Sequence, residues 1–151
     1  MANLVPYSFG VELLTGTHNF ASGGNSFKIA LYTAIGSYAT SSTTYLTASE
    51  VSSGGGSQYT TGGEVLGSQA VANQNDVATV DFADTVWGSG TPATFSAAYA
   101  AIYNDTNSDK LVVVLDFGGT KSCSNGTFTI TYPNPASGSP AGSDAIISIT
   151  S

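Results

Sequence analysis

The chain offers few side chains that could act in catalysis or hold a metal ion. Its one histidine, His18, and its one cysteine, Cys123, have no partner at the spacing that metal sites use. We therefore interpret His18 as a loop histidine that packs or caps locally. Cys123 lies between two serines and has no sequence cue for a lowered pKa, so we interpret it as an unreactive thiol that cannot form an intrachain disulfide.

Carboxylates supply the remaining candidates for chemistry. Asp105 and Asp109 in the segment DTNSD suggest calcium, but a calcium site needs about six to eight oxygen ligands, and we interpret these residues as turn formers. Glu12, Glu50 and Glu64 could supply a hydrolase pair, yet nothing in the sequence brings two of them together. The glycine tracts match no phosphate-binding loop. The sequence therefore predicts no enzyme, no metal site and no cofactor.

Tyrosines are the best candidates for contacts with a partner. Tyr38, Tyr45 and Tyr59 lie in a long stretch rich in Ser, Thr and Gly at residues 36–63. Loops of this length inside a compact domain are usually functional or flexible, so we interpret the stretch as a contact arm. A tyrosine ring offers a large area with a polar tip, and we expect these three rings to be exposed and to contact a partner.

The elements that must position these residues are mostly strands. Residues 95–117 contain two arms that are apolar on both faces, joined by a polar loop, and they predict a central hairpin with water excluded from both sides. Residues 6–15 predict a short helix that packs on the sheet through Phe9, Leu13 and Leu14.

The rest of the chain alternates strands with turns. Further strands are predicted at residues 27–34, 64–73, 77–83, 127–132 and 145–150, with a turn at 118–126 and a proline-rich surface loop at 133–144. This pattern predicts a single domain over residues 1–151 that is mainly β, an antiparallel β-sandwich or barrel-like sheet with one short N-terminal helix.

Composition excludes several classes of function. Three lysines, no arginine and ten carboxylates give a net charge of −7, so direct binding to nucleic acid is not expected. No apolar run reaches the roughly 18 residues of a membrane helix, and the start MANLVPYSFG lacks a signal sequence, which predicts synthesis in the cytosol. The charged fraction is only 9%, and the polar surface is built from hydroxyls and amides.

Three segments resemble a family of small structural proteins of tailed bacteriophages. They are the short helix followed by FKIALYTA, then EVSSGGGSQYTTGGEVL, and then AAYAAIYNDTNSDKLVVVLDFGGTKSCSNGTFTITYPNPASG through to the final AIISIT. The resemblance covers most of the chain and implies a virion protein made in the host cytoplasm, with no catalytic residues to carry over.

The resemblance favours a capsid decoration (cement) protein. Such a protein would be a homo-oligomer that binds the major capsid protein and itself, through residues 36–63 and its N-terminal segment. A tail, neck or fibre component is the alternative within the virion. A carbohydrate-binding adhesion module that uses Tyr38, Tyr45 and Tyr59 is the alternative from another class.

Overall fold

The structure is a computed structural model that describes residues 3–74, 76–134 and 145–150. Its elements in chain order are α1 (Tyr7–Leu14), β1 (Phe27–Tyr32), β2 (Glu64–Val65), β3 (Ala70–Gln74), β4 (Val77–Asp81), β5 (Thr85–Trp87), β6 (Ala93–Asn104), β7 (Lys110–Gly126), β8 (Phe128–Ile130) and β9 (Ile147–Thr150). The predicted fold class is confirmed, because the described chain is mainly β with one short helix.

Three open antiparallel sheets make up the described part of the fold. The main sheet has the order β2-β1-β6-β7, and the smaller ones have the orders β3-β4-β9 and β5-β8. In the main sheet Ile29 of β1 lies opposite Ile102 of β6, and Ile102 lies opposite Val113 of β7. The predicted hairpin is therefore confirmed as the long antiparallel pair β6 and β7, but its central position is not, because β7 is an edge strand of the main sheet.

Both faces of the main sheet are buried, as the doubly apolar arms predict. One face packs with the small sheets into a large core that contains Phe27, Ile29 and Trp87. The other face forms a second apolar cluster in which Tyr32 and Ala101 pack with Tyr38 of the long loop. The first part of residues 36–63 therefore covers this second face, whereas Val51 and Tyr59 of the same stretch pack in the large core.

Strand β7 continues through the region predicted to be a turn. After Asp116 pairs with Tyr99, the register with β6 shifts, and pairing resumes between Lys121 and Ala97. Gly118 lies within this irregularity with a positive φ of 69°, a conformation that glycine adopts without steric cost. The prediction of a turn at residues 118–126 is wrong because the bulge absorbs the glycines and the strand resumes beyond them.

One other prediction differs from the structure in which side chains face inward. Leu14 was expected to pack on the sheet but is 90% exposed, whereas Glu12 takes the inward position beside Phe9. The predicted surface loop at 133–144 lies outside the described residues from residue 135 onward.

Candidate functional site

The three tyrosines predicted to contact a partner lie inside or against the fold. Tyr38 is 6% exposed and Tyr59 is 2% exposed, and Tyr45 is half-buried with its ring stacked on Tyr103 at a centroid distance of 4.7 Å. The expectation that these rings are exposed is wrong for Tyr38 and Tyr59. Tyr38 is buried because it covers the apolar second face of the main sheet, whereas Tyr59 is buried because it packs in the large core beside Trp87.

Glu50 is the centre of the polar network that holds this loop. Its Oε1 accepts hydrogen bonds from the Tyr59 hydroxyl at 2.6 Å and from the Gly62 amide at 2.7 Å. Its Oε2 accepts from the Tyr45 hydroxyl at 2.5 Å. Three donors from three parts of the loop thus converge on one carboxylate, and charge-assisted bonds of this kind are shorter and stronger than neutral ones.

The same network reaches the backbone of the main sheet. The Tyr59 hydroxyl accepts from the Leu31 amide of β1 at 2.9 Å, and the Tyr103 hydroxyl of β6 donates to the Gly62 carbonyl at 2.6 Å. Both polar groups of Gly62 are therefore satisfied by side chains, the amide by Glu50 and the carbonyl by Tyr103. This arrangement ties residues 50–62 to the middle of the sheet.

Tyr32 and Tyr38 form the second part of the network. Their hydroxyls lie 2.9 Å apart, and the rings meet edge to face. The Tyr32 hydroxyl donates to the Leu46 carbonyl at 2.8 Å, and the Leu46 amide donates to the Tyr38 hydroxyl at 2.9 Å. The two tyrosine hydroxyls thus hydrogen-bond both backbone polar groups of Leu46, which would otherwise lie unpaired against the sheet.

The network keeps its phenols protonated. Burial raises the pKa of Tyr59 and of Tyr45 well above the ordinary value, and the hydrogen bond of each to Glu50 raises it further. Burial also raises the pKa of Tyr32, with the hydrogen bond to Tyr38 as the next cause. A phenol that donates to a carboxylate and cannot ionise near neutral pH is a poor acid or nucleophile. The network therefore organises structure, and its chemistry is that of hydrogen bonding.

A second polar cluster joins α1 to the β6–β7 hairpin. Glu12 receives a hydrogen bond from His18 Nε2 at 3.1 Å on Oε2 and an ion pair from Lys110 Nζ at 2.9 Å on Oε1. The Asn104 amide donates to His18 Nδ1 at 3.1 Å, which assigns the proton of the imidazole to Nε2. The His18 side chain is fully buried.

The titration of this cluster follows from its burial. Burial lowers the pKa of His18 and outweighs the opposing effect of Glu12, so the ring is neutral at neutral pH. Burial on its own would raise the pKa of Glu12, but the bonds from Lys110 and His18 outweigh it and hold the pKa below its ordinary value. Both imidazole nitrogens are engaged and no solvent reaches them, so the Glu12–His18 pair joins the helix to the hairpin and has no free atom for a substrate.

The remaining sequence candidates lie in ordinary surroundings. The Asp105 carboxylate pairs with Lys28 Nζ at 2.8 Å in a partly exposed ion pair. Cys123 is buried, and its thiol donates weakly to the Phe95 carbonyl at 3.7 Å. Glu12 and Glu50 belong to the two separate clusters described above. Within residues 3–74, 76–134 and 145–150, no three His, Cys, Asp or Glu side chains gather as a metal site.

An open groove of about 500 Å³ lies between β7 and β8. Phe117 and Phe128 supply its apolar side, and Lys121 supplies its charge. The rest of its lining is serine, threonine and isoleucine, which brings no second charged group to Lys121. The groove has the residues of a surface depression and lacks a convergent set of polar groups that would orient a small molecule.

An exposed apolar surface lies on the N-terminal segment. It consists of Val5 (52% exposed), Tyr7 (77%), Val11 (64%) and Leu14 (90%), and we call these four residues the apolar stripe. Tyr7, Val11 and Leu14 follow one another at helical spacing on the outer face of α1. This surface was not predicted from the sequence, because Leu14 was expected to pack in the core. The available signal for this surface was the row formed by Tyr7, Val11 and Leu14, which lie four and three positions apart on one face of the helix.

Comparison with protein families, curated proteins and solved structures found no match to this chain. In the part of the chain that the structure describes, no helix combines the length and hydropathy needed to cross a bilayer.

Proposed function

We propose that the protein is a structural protein of a tailed-bacteriophage virion, acting as a capsid decoration protein that binds the major capsid protein and further copies of itself. The observation that carries the proposal is the apolar stripe. It leaves four large apolar side chains in solvent on one short segment, whereas the other exposed apolar residues are distributed over four different strands. Clustered apolar groups of this size on a surface mark sites where another macromolecule binds.

Two features of the fold suit a protein that is repeated over a shell. The glutamate–tyrosine network holds residues 36–63 against the main sheet, so the domain presents a defined surface without ordering a long loop on binding. The low charged fraction and the abundance of serine and threonine on the surface suit wet contacts between many neighbouring copies.

The burial of Tyr38 and Tyr59 removes their rings as contacts for a partner. Tyr38 and Tyr59 have no ring face to offer, so the contact role first given to them passes to the N-terminal segment. The same burial leaves the carbohydrate-binding hypothesis, which requires exposed rings for stacking on sugars, with the half-buried Tyr45 as the remaining ring of its three.

The proposal is tested with particles of the virus that encodes this chain, prepared with and without its gene. Heads that lack the protein should release DNA at a lower temperature and after a milder osmotic shock, and added purified protein should restore their stability. Heads of equal stability, with the protein located in the tail or absent from the particle, would refute the decoration role.

A further inference from the structure

The apolar stripe is not explained by the packing of its own domain. The inward row of α1 contains Phe9 and Glu12, and Leu13 packs beside them against the large core. The outward row contains Tyr7, Val11 and Leu14, which face solvent. Gly10 lies in the same outward row, and a Cβ added there would meet no atom within 4 Å. The helix therefore exposes an apolar ridge with a notch into which another surface can fit closely.

The size of the stripe limits what can cover it. Its four side chains expose on the order of 500 Å², the upper range for the largest apolar patch of a monomer. A specific, stable protein–protein interface usually buries about 800 Å² on each side. The stripe alone falls short of this area, so a partner that covers it must also contact the surface around it.

Charge argues against a second copy packed stripe to stripe as the occupant. Each copy carries a net charge of −7, so this contact gains nothing from charge complementarity, and binding between copies in the proposed function uses other surfaces. The one charged residue of α1, Glu12, is turned inward onto His18 and Lys110. Lys28 is likewise held by Asp105. The acidic field that a partner meets therefore comes from the net charge of the whole domain, and a complementary surface carries lysine or arginine.

We propose that the apolar stripe docks into an apolar groove with a basic rim on a protein other than this chain. Residues at positions i, i+4 and i+7 of a helix are the anchors by which helices bind such grooves. This inference rests on the proposed function, in which the groove belongs to the major capsid protein. The apolar anchors supply affinity, while the opposite charges supply orientation and a faster encounter.

The probe is a purified head that lacks this protein, and the readout is co-sedimentation of added protein over a range of concentrations. The variant Tyr7→Ala/Val11→Ala/Leu14→Ala removes the stripe and keeps residues that favour a helix. The matched control is Val65→Thr/Val86→Thr, which alters two exposed valines of β2 and β5. Circular dichroism and the melting temperature check that both variants fold.

We expect the triple variant to bind heads at least 100-fold more weakly than the unaltered protein, and the control to bind within threefold of it. The pair Leu14→Glu and Leu14→Lys tests the basic rim, because both replace the same apolar side chain with opposite charges. Leu14→Lys should bind more weakly than Leu14→Glu, and the difference should shrink as sodium chloride is raised.

Each contrary result has a distinct meaning. If the unaltered protein fails to bind heads, the proposed function and the assignment of this partner both fall. If it binds and the folded triple variant binds equally well, the proposed function stands and the docking surface is wrong. A dimer of the free protein in analytical ultracentrifugation that the triple variant abolishes would assign the stripe to a second copy. Equal binding of Leu14→Glu and Leu14→Lys would overturn the basic rim.

Discussion

Replacing Glu50 with alanine should destabilise the fold by about 3–5 kcal/mol. The carboxylate accepts three hydrogen bonds, from the hydroxyls of Tyr59 and Tyr45 and from the amide of Gly62. Each bond to a charged acceptor contributes roughly 1.5–3 kcal/mol, and each buried donor left unpaired costs roughly 1–3 kcal/mol. Full addition would overestimate the loss, because water entering the vacated space would satisfy part of the network.

The assay is equilibrium unfolding in urea, followed by tryptophan fluorescence and by circular dichroism. Glu64→Ala is the matched control, because Glu64 is half-buried in β2 and lies outside the tyrosine network, and its loss should change the free energy of unfolding by less than about 0.5 kcal/mol. Glu50→Gln should lie between the two, because its amide keeps one oxygen acceptor. If Glu50→Ala costs no more than Glu64→Ala, the network does not hold the loop.

Three further predictions concern other parts of the fold. Gly63→Ala should strongly destabilise the fold, because the added Cβ would lie 1.9 Å from the Ile29 carbonyl oxygen and the residue has a φ of 75°. Gly10→Ala has open space around its Cβ and should stabilise α1 by up to about 1 kcal/mol. Equal melting temperatures for the two variants would contradict this prediction. The pKa values of Glu12 and His18 are both lowered by folding, so the unfolded chain binds more protons. Stability should therefore fall as the pH drops below about 6.5 for His18 and below about 4.5 for Glu12; a stability that stays flat as the pH is lowered from neutral in urea titrations would contradict the cluster. Val113→Asp should abolish folding, because Val113 is buried in the β6–β7 hairpin, and a folded Val113→Asp protein would contradict this. Asp105→Ala removes only a partly exposed ion pair and should lower the free energy of unfolding in urea by at most about 1 kcal/mol. A larger loss for Asp105→Ala would contradict the second prediction.

The sequence predicts the β6–β7 hairpin because its signal is local. Both alternating sets of residues in β6 and β7 are apolar, and the polar loop between them has ordinary turn residues, so a sheet buried on both faces follows directly. The short helix is predicted for the same reason. The extension of β7 to Gly126 is not, because glycine, serine and lysine at residues 118–126 have the composition of a turn. Its strand conformation depends on pairing with distant residues of β6.

The polar network could not be predicted because it depends on which residues meet in space. Tyr38, Tyr45 and Tyr59 lie in a stretch rich in glycine and serine, and such a stretch normally indicates exposure. The missing observation was that a sheet buried on both faces requires a second cover, which Tyr38 and Tyr45 help to supply, while Tyr59 packs in the large core beside Trp87. Leu14 was misplaced for a related reason, since the inward position was taken by Glu12, whose partner Lys110 lies almost 100 residues further along the chain.

The central claim is most directly tested by the number and position of copies of this protein in a purified virus particle. Quantitative mass spectrometry against the major capsid protein, together with imaging of the head, would supply both. A decoration protein should be present in a fixed stoichiometric ratio to the major capsid protein and lie on the outer surface of the head, with its N-terminal helix against the shell. Absence from purified particles, or a few copies confined to the tail, would contradict the account.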